Sequence, residues 1–211
     1  MSKYLVFYLE ILFLLVIPIF TLTFSSQFLA IRLLYMAIGG IYCGYRLLRS
    51  EATMADLGIH KARFVSAIKD IALPSFLLVI ATFLIFYFLP FNYLKIISGY
   101  DPMPISSFIN RLLVYVIYSS PIQELIFRGY VTWRISQVFV EVKIIEFLSV
   151  GIFAFVHLPF YSPLLIIVTI VMGIIYIKNY HKYKNLFAPI ISHSVVGACI
   201  IIIRNFWFPY I

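Results

Sequence analysis

SSPIQELIFRGY, residues 119–130, sets a glutamine, a glutamate and an arginine within six positions of a chain otherwise suited to lipid. Hydrophobic residues make up 64% of the 211, charged residues 11%, and the mean hydropathy is +1.05. Soluble domains carry roughly 45–50% apolar and about 25% charged residues, so this composition indicates a polytopic membrane protein. A charge at mid-bilayer costs from about 3 to more than about 10 kcal/mol. Gln123, Glu124 and Arg128 therefore need partners and a purpose.

Outward from this segment the apolar runs are continuous and lack period-2 alternation. That excludes a membrane barrel and predicts an all-α, polytopic membrane helical bundle. A hydrocarbon core about 30 Å thick needs about 20 helical residues. About seven transmembrane spans follow, at 4–24, 28–48, 70–91, 112–134, 144–162, 163–178 and 187–207, in one integral-membrane domain over 1–211. The sixth is short, and HLPFYSP leaves its boundary with the fifth open. The run from Tyr4 to Phe24 is too long for a secretory signal and no cleavage site follows, so it is read as a first span.

Lysine and arginine set the orientation. Arg46, Arg49, Lys61, Arg63 and Lys69 lie between spans two and three; Arg134 and Lys143 between four and five; Lys178, Lys182 and Lys184 between six and seven. The other side holds Lys95 in a loop and Arg204 near the last span's end, so the N-terminus is expected in the cytoplasm and the C-terminus outside. The formal charge of +8 is dispersed between apolar runs. It suits loops facing anionic membrane lipids and not nucleic acid, which requires a contiguous basic face. Leu57, Phe64, Val65 and Ile68 recur at helical spacing among Lys61, Arg63 and Lys69. This predicts a cytoplasmic interfacial helix, capped by Ser50 or Thr53. NYLKIISGYDPMPISS is the plainly irregular outer segment. Cys43 and Cys199 fall within apolar runs and read as small hydrophobes.

Glu124 and Arg128 are spaced i,i+4 with the acid N-terminal, the favourable order for a helical ion pair. Pro121 removes a backbone donor just upstream and predicts a kink. Phe153 and His157 in FAFVH share a helix face, and His193 lies in APIISHSVVGA on the last span. A lone intramembrane histidine is usually a hydrogen-bond partner between helices. Two on separate spans, with a Gln-Glu pair on a third, point to a site. His60 and His181 read as surface residues. Glu10, Arg32 and Arg111 also fall within spans, where pairing or snorkelling accommodates them; a transporter built on them would call for a repeat, and none is visible.

QELIFRG, FAFVH and APIISHSVVG, in this order, resemble the three motifs of the CPBP family of intramembrane proteases, which includes the CAAX prenyl endopeptidase Rce and bacterial bacteriocin-processing or immunity (Abi) relatives. The motif core covers about 108–207, and LGI at 57–59 is similar to a weaker signature. The family pattern is E-E-x-x-x-R, F-x-x-x-H and H-x-x-x-N. The resemblance implies that the first Glu and the FxxxH histidine activate water, that the second His and the Asn stabilise the oxyanion, and that the second Glu and the Arg are mainly structural. Glu124, Arg128, Phe153, His157 and His193 match; the first Glu is Gln123 and the Asn is Gly197. An amide cannot take a proton from water, and general-base help is typically worth about 10²–10⁴-fold. Losing an oxyanion donor is worth about 10²–10³-fold.

Two expectations stand side by side. One is an endopeptidase in which Glu124 and His157 share water activation and His193 steadies the oxyanion. The other is a silent relative that binds a peptide or a membrane partner, as in bacteriocin immunity or regulation. Either has a peptide or membrane-protein substrate or partner, lipid-modified in prenyl-dependent members, and the resemblance implies a plasma membrane of bacterial type. It also implies a metal-free site. Glu124, His157 and His193 as three zinc ligands is the alternative that the residue types leave open.

Overall fold

The computed structural model describes residues 3–17, 19–20, 28–50, 52–90, 93, 96 and 104–207. These residues form helices and turns, with no strand among them. α1 (Lys3–Ile11) continues as a π-helical turn to Val16, and α2 covers Phe28–Leu48. α3 is Phe64–Phe88. Ile105 to Ser136 is an unbroken helical run: α4 (Ile105–Val114), a π stretch (Tyr115–Ser119), α5 (Ser120–Glu124), a second π stretch (Leu125–Val131) and α6 (Thr132–Ser136). α7 is Val142–Phe155, α8 is Pro163–Tyr183 and α9 is Phe187–Trp207.

Among the described residues four helices are long and apolar enough to cross a membrane: Phe64–Phe88, Val142–Phe160, Pro163–Tyr183 and Phe187–Phe206. The junction left open at HLPFYSP is a 3-10 turn, Leu158–Phe160, followed by Tyr161 in the left-handed region. Ser162 caps α8 by accepting from the Leu165 amide at 3.2 Å. The sixth helix is thus 21 residues long, not short. The end of the first span at 21–24 and the outer segment from 91 to 103, except Tyr93 and Ile96, lie outside the described residues.

The separate interfacial helix does not form. Residues 52–63 are turns, and Phe64, Val65 and Ile68 are already the first turns of α3. The apolar periodicity was real but belonged to α3. Upstream, Leu57 is buried instead of lying on headgroups. Gly58 has φ of 74°, and a Cβ there would stand 2.9 Å from the Lys184 carbonyl, so only glycine fits. The Leu186 amide donates to the Gly58 carbonyl at 2.8 Å, and Asn185 Nδ2 donates to the carbonyls of His60 and Ala62. LGI is therefore the pad that docks on the α8–α9 turn. Thr53 does not cap a helix. Its hydroxyl and amide both donate to Asp56, holding that carboxyl below its usual range. His60 is half-buried here, and His181 pairs with Glu146 at 3.0 Å, so neither is a plain surface residue.

Among the described residues two large apolar clusters form most of the interior, with a third, smaller one of Ile177, Tyr180 and Leu186 beside the α8–α9 turn. One large cluster joins α1, α2, the second π stretch, α6 and α7 through Phe7, Cys43, Phe127, Ile135 and Phe153. The other joins α3, α8 and α9 through Ile71, Phe86, Met172, Tyr176 and Val196. The irregular run 105–136 passes between them. π-helical turns recur at functional sites because the extra residue re-aims the side chains around it. The irregularity expected at Pro121 takes this form: α5, with proline in its first turn, is flanked by both π stretches.

Candidate functional site

Glu124 ends α5 and is fully buried. Its Oε1 accepts from Arg128 Nη1 at 3.1 Å and from His193 Nδ1 at 2.6 Å, while Oε2 has no hydrogen-bond partner. The Arg128 guanidinium lies 4.1 Å over the Phe153 ring and 5.6 Å from the Tyr176 ring. It thus ties the two apolar clusters together. Such contacts reach about 2 kcal/mol when desolvated. The pair that the i,i+4 spacing predicts is present, and His193, 69 residues further on, joins it.

His157 follows the end of α7. Its Nδ1 contacts the Phe153 carbonyl at 2.7 Å, a bond that needs the proton on Nδ1 and leaves the Nε2 lone pair available. Phe153 packs edge-on to both imidazoles, with ring centroids 4.9 Å from His157 and 5.8 Å from His193. One ring therefore spaces the two histidines. Gln123 is buried and donates Nε2 to the Ser119 carbonyl at 3.2 Å and the Ser119 hydroxyl at 2.8 Å.

A cavity of about 110 Å³ opens between α1, α2, the 119–134 run and the end of α7. Gln123 and His157 line it, together with Arg32, Phe160, Glu10 and Arg134. Glu124 and His193 are not on its wall. The three motifs thus converge as two adjoining parts: Gln123 and His157 at the cavity, and Glu124, Arg128 and His193 sealed behind Phe153.

Gly197 has a specific cause. A Cβ built there would lie 1.9 Å from the Tyr115 hydroxyl, whose ring packs edge-on against His193 at 5.9 Å. The phenol occupies the place where a motif asparagine would begin. Among the described residues no three His, Cys, Asp or Glu side chains converge as a metal site. Within the zinc alternative, His193 Nδ1 is engaged by Glu124 and His157 Nδ1 by a backbone carbonyl.

Sequence reasoning missed a second buried carboxylate cluster. Glu10 accepts from Tyr42 and Tyr130 at 2.9 Å, from Arg134 Nε at 2.5 Å and from Arg46. Arg46 and Arg134 had counted as loop charges; they are instead the counter-ions of the acid on the first span. The signal available was a lone glutamate in an apolar run. Tyr115 carried no signal at all.

The family model described as Type II CAAX prenyl endopeptidase Rce1-like matches residues 105–199. Over this segment the chain is similar to the CAAX protease family, and that likeness together with its apolar helices indicates an integral membrane protein. No curated protein and no solved structure matches it.

Proposed function

We propose that the chain is an intramembrane endopeptidase of CPBP type that hydrolyses a peptide bond in the cavity between α1, α2 and the 119–134 run. The observation that carries this is His157: its Nδ1–H is fixed to the Phe153 carbonyl, its Nε2 is a free base, and it lines a cavity inside the bundle. Water gives a proton to Nε2 as its oxygen bonds to the substrate's carbonyl carbon. The imidazolium then returns that proton to the departing amine as the C–N bond breaks. Gln123 offers its amide oxygen to orient the water but cannot take the proton. His193, engaged by Glu124 through Nδ1 and packed edge-on against Phe153, braces the wall behind His157 and does not touch substrate. Glu124 and Arg128 hold His193 in place.

The same reading places seven crossings in the plasma membrane of a bacterium, with α1, α2 and the 105–136 helix added to the four longest spans. The N-terminus is cytoplasmic, the C-terminus external, the cleaved bond near the cytoplasmic face, and the substrate a peptide or membrane protein that in some cases is lipid-modified.

A second reading, a silent relative that binds its partner without cutting it, is favoured by one pair of observations. Gln123 spends its amide on Ser119, and Tyr115 stands where the asparagine would be. Cleavage by the purified chain in nonionic detergent, with and without Gln123→Glu, decides between them. Slow turnover is expected, abolished by His157→Ala and raised by Gln123→Glu by up to about 10²-fold. Unchanged cleavage in His157→Ala rules out the peptidase mechanism, and no turnover in either background leaves the silent relative.

A further inference from the structure

Attack of water on a peptide carbonyl puts a negative charge on the carbonyl oxygen, and the cavity wall must offer that oxygen an N–H or O–H. Gly197 has no side chain to give, and neither His193 nor Tyr115, which stands beside Gly197, is on the wall. The Gln123 amide donates to the Ser119 carbonyl and hydroxyl, and Arg134 is held by Glu10 at 2.5 Å. Arg32, on α2 and outside the residues that the family model matches, lines the cavity with Gln123, His157 and Phe160. Its guanidinium carbon sits 4.9 Å over the Phe160 ring, and Nη2 makes one long contact, 3.4 Å, to the Ser119 hydroxyl. Arg46, Arg128 and Arg134 each have a carboxylate partner, Glu10 or Glu124. Arg32 has none among the described residues. A guanidinium carries five N–H donors, so most of those on Arg32 are uncommitted.

We propose that Arg32 is the oxyanion donor of this site, a catalytic residue in the part that Gly197 cannot play. This rests on the reading of the cavity as a peptidase site. Water gives a proton to His157 Nε2 as its oxygen bonds to the carbonyl carbon. The C=O π pair moves onto the carbonyl oxygen, which then accepts from the guanidinium. As C=O re-forms, the C–N bond breaks and the imidazolium protonates the amine, so Arg32 transfers no proton and ends as it began. The position suits the task. The ring of Phe160 holds the guanidinium from one face and stacks at 22° with the His157 imidazole, ring centroids 5.8 Å apart. One side chain therefore fixes donor and base relative to each other. Ser119 accepts from both Arg32 and Gln123, which ties the donor to the residue that orients the water. A fixed cation inside the bundle favours the charged tetrahedral state over the neutral carbonyl, and this difference is what lowers the barrier.

Binding and rate test this separately. Apolar tetrapeptides, N-acetylated and C-terminally amidated so that no carboxylate is present, carry one of two groups at the central link. One is a phosphinate, tetrahedral and anionic; the other is a hydroxyethylene, tetrahedral and neutral. Each is titrated calorimetrically into the full chain in nonionic detergent. The phosphinate is expected to bind at least about tenfold more tightly. Arg32→Gln removes that preference without weakening the hydroxyethylene, and Arg32→Lys keeps part of it. On a cleaved peptide, Arg32→Gln lowers kcat by about 10²–10³-fold and leaves KM unchanged. If Arg32→Gln does not fold, Arg32→Lys decides in its place, with a smaller preference and a lower kcat expected. Equal binding of the two probes by the wild type, or a preference that survives in Arg32→Gln, overturns the oxyanion role and leaves the peptide site standing. A raised KM with unchanged kcat also overturns it. A phosphinate preference in a wild type that cleaves nothing overturns the peptidase reading and the oxyanion role with it; no binding of either probe overturns the peptide site itself.

Discussion

Glu10 and Glu124 are both carboxylates inside the same bundle, and they are held in opposite ways. Glu10 spreads its load over both oxygens and four donors from α2, the second π stretch and α6, and one edge of it faces the cavity. Glu124 crowds Arg128 and His193 onto one oxygen, leaves the other without a partner, and is sealed from the cavity. A fully satisfied acid locks helices together. An incompletely satisfied one, joined to an imidazole, retains the capacity to exchange a proton or accept another donor. The difference supports the proposed reading of Glu10 as scaffold and of Glu124, through His193, as part of the site.

The comparison breaks most visibly at Glu124. Glu124→Ala leaves Arg128, 1% exposed, as an uncompensated buried charge, and should cost about 3–5 kcal/mol. Reversible unfolding in mixed micelles measures this. Replacing both members, Glu124→Leu with Arg128→Met, should recover most of the loss, because a paired deletion leaves no orphan charge. Failure to recover would mean that the pair contributes beyond mutual neutralisation. Glu10→Ala should cost less, about 1.5–3 kcal/mol by the same assay. Arg46 is 30% exposed at its side chain and can find water once its partner is gone, and Arg134, 9% exposed, has contacts besides Glu10. A larger loss than at Glu124 would reverse the assignment of lock and site.

Gly197→Ala tests the packed side of the comparison. Its Cβ would meet the Tyr115 hydroxyl far inside contact distance, so a cost of about 1–3 kcal/mol is expected. Tyr115→Ala in the same chain should relieve it, a non-additive pair readable in a double-mutant cycle. Restoring the family asparagine at this position requires the same relief; Gly197→Asn alone should destabilise the protein without any gain in cleavage. The smallest effect is expected at Gln123→Glu. It loses one amide donation to the Ser119 carbonyl and should change stability by about 1 kcal/mol or less, while acting on rate as described above.

Much of the fold was legible because lipid imposes a simple rule: every backbone group must be satisfied within its own segment. Long apolar runs therefore predicted α2 and α9 with ends close to those found, and α3 and α8 with one end each five or six residues short. The i,i+4 pair of Glu124 and Arg128 was legible because it is local, and so was the packing of Phe153 on His157. The interfacial helix was misplaced because amphipathic spacing around 57–68 cannot separate a helix on headgroups from the entry of a span. Only the docking of Leu57 and Gly58 on the α8–α9 turn resolves that.

What the sequence by itself determined is the solvent of this protein, its helical class and the identity of the polar groups that lipid would otherwise reject. Tertiary structure alone decided which of them meet. His193 reaches Glu124 across 69 residues, Arg134 reaches Glu10 across 124, and Tyr115 fills the space beside Gly197. It also decided that Gln123, His157 and Arg32 face a hollow while Glu124 does not. The physical reason is that backbone hydrogen bonding is satisfied within each helix, whereas the pairing of buried charges depends on helix rotation and contact. Around Gln123 and Glu124 the run carries two π-helical stretches that the linear pattern does not display.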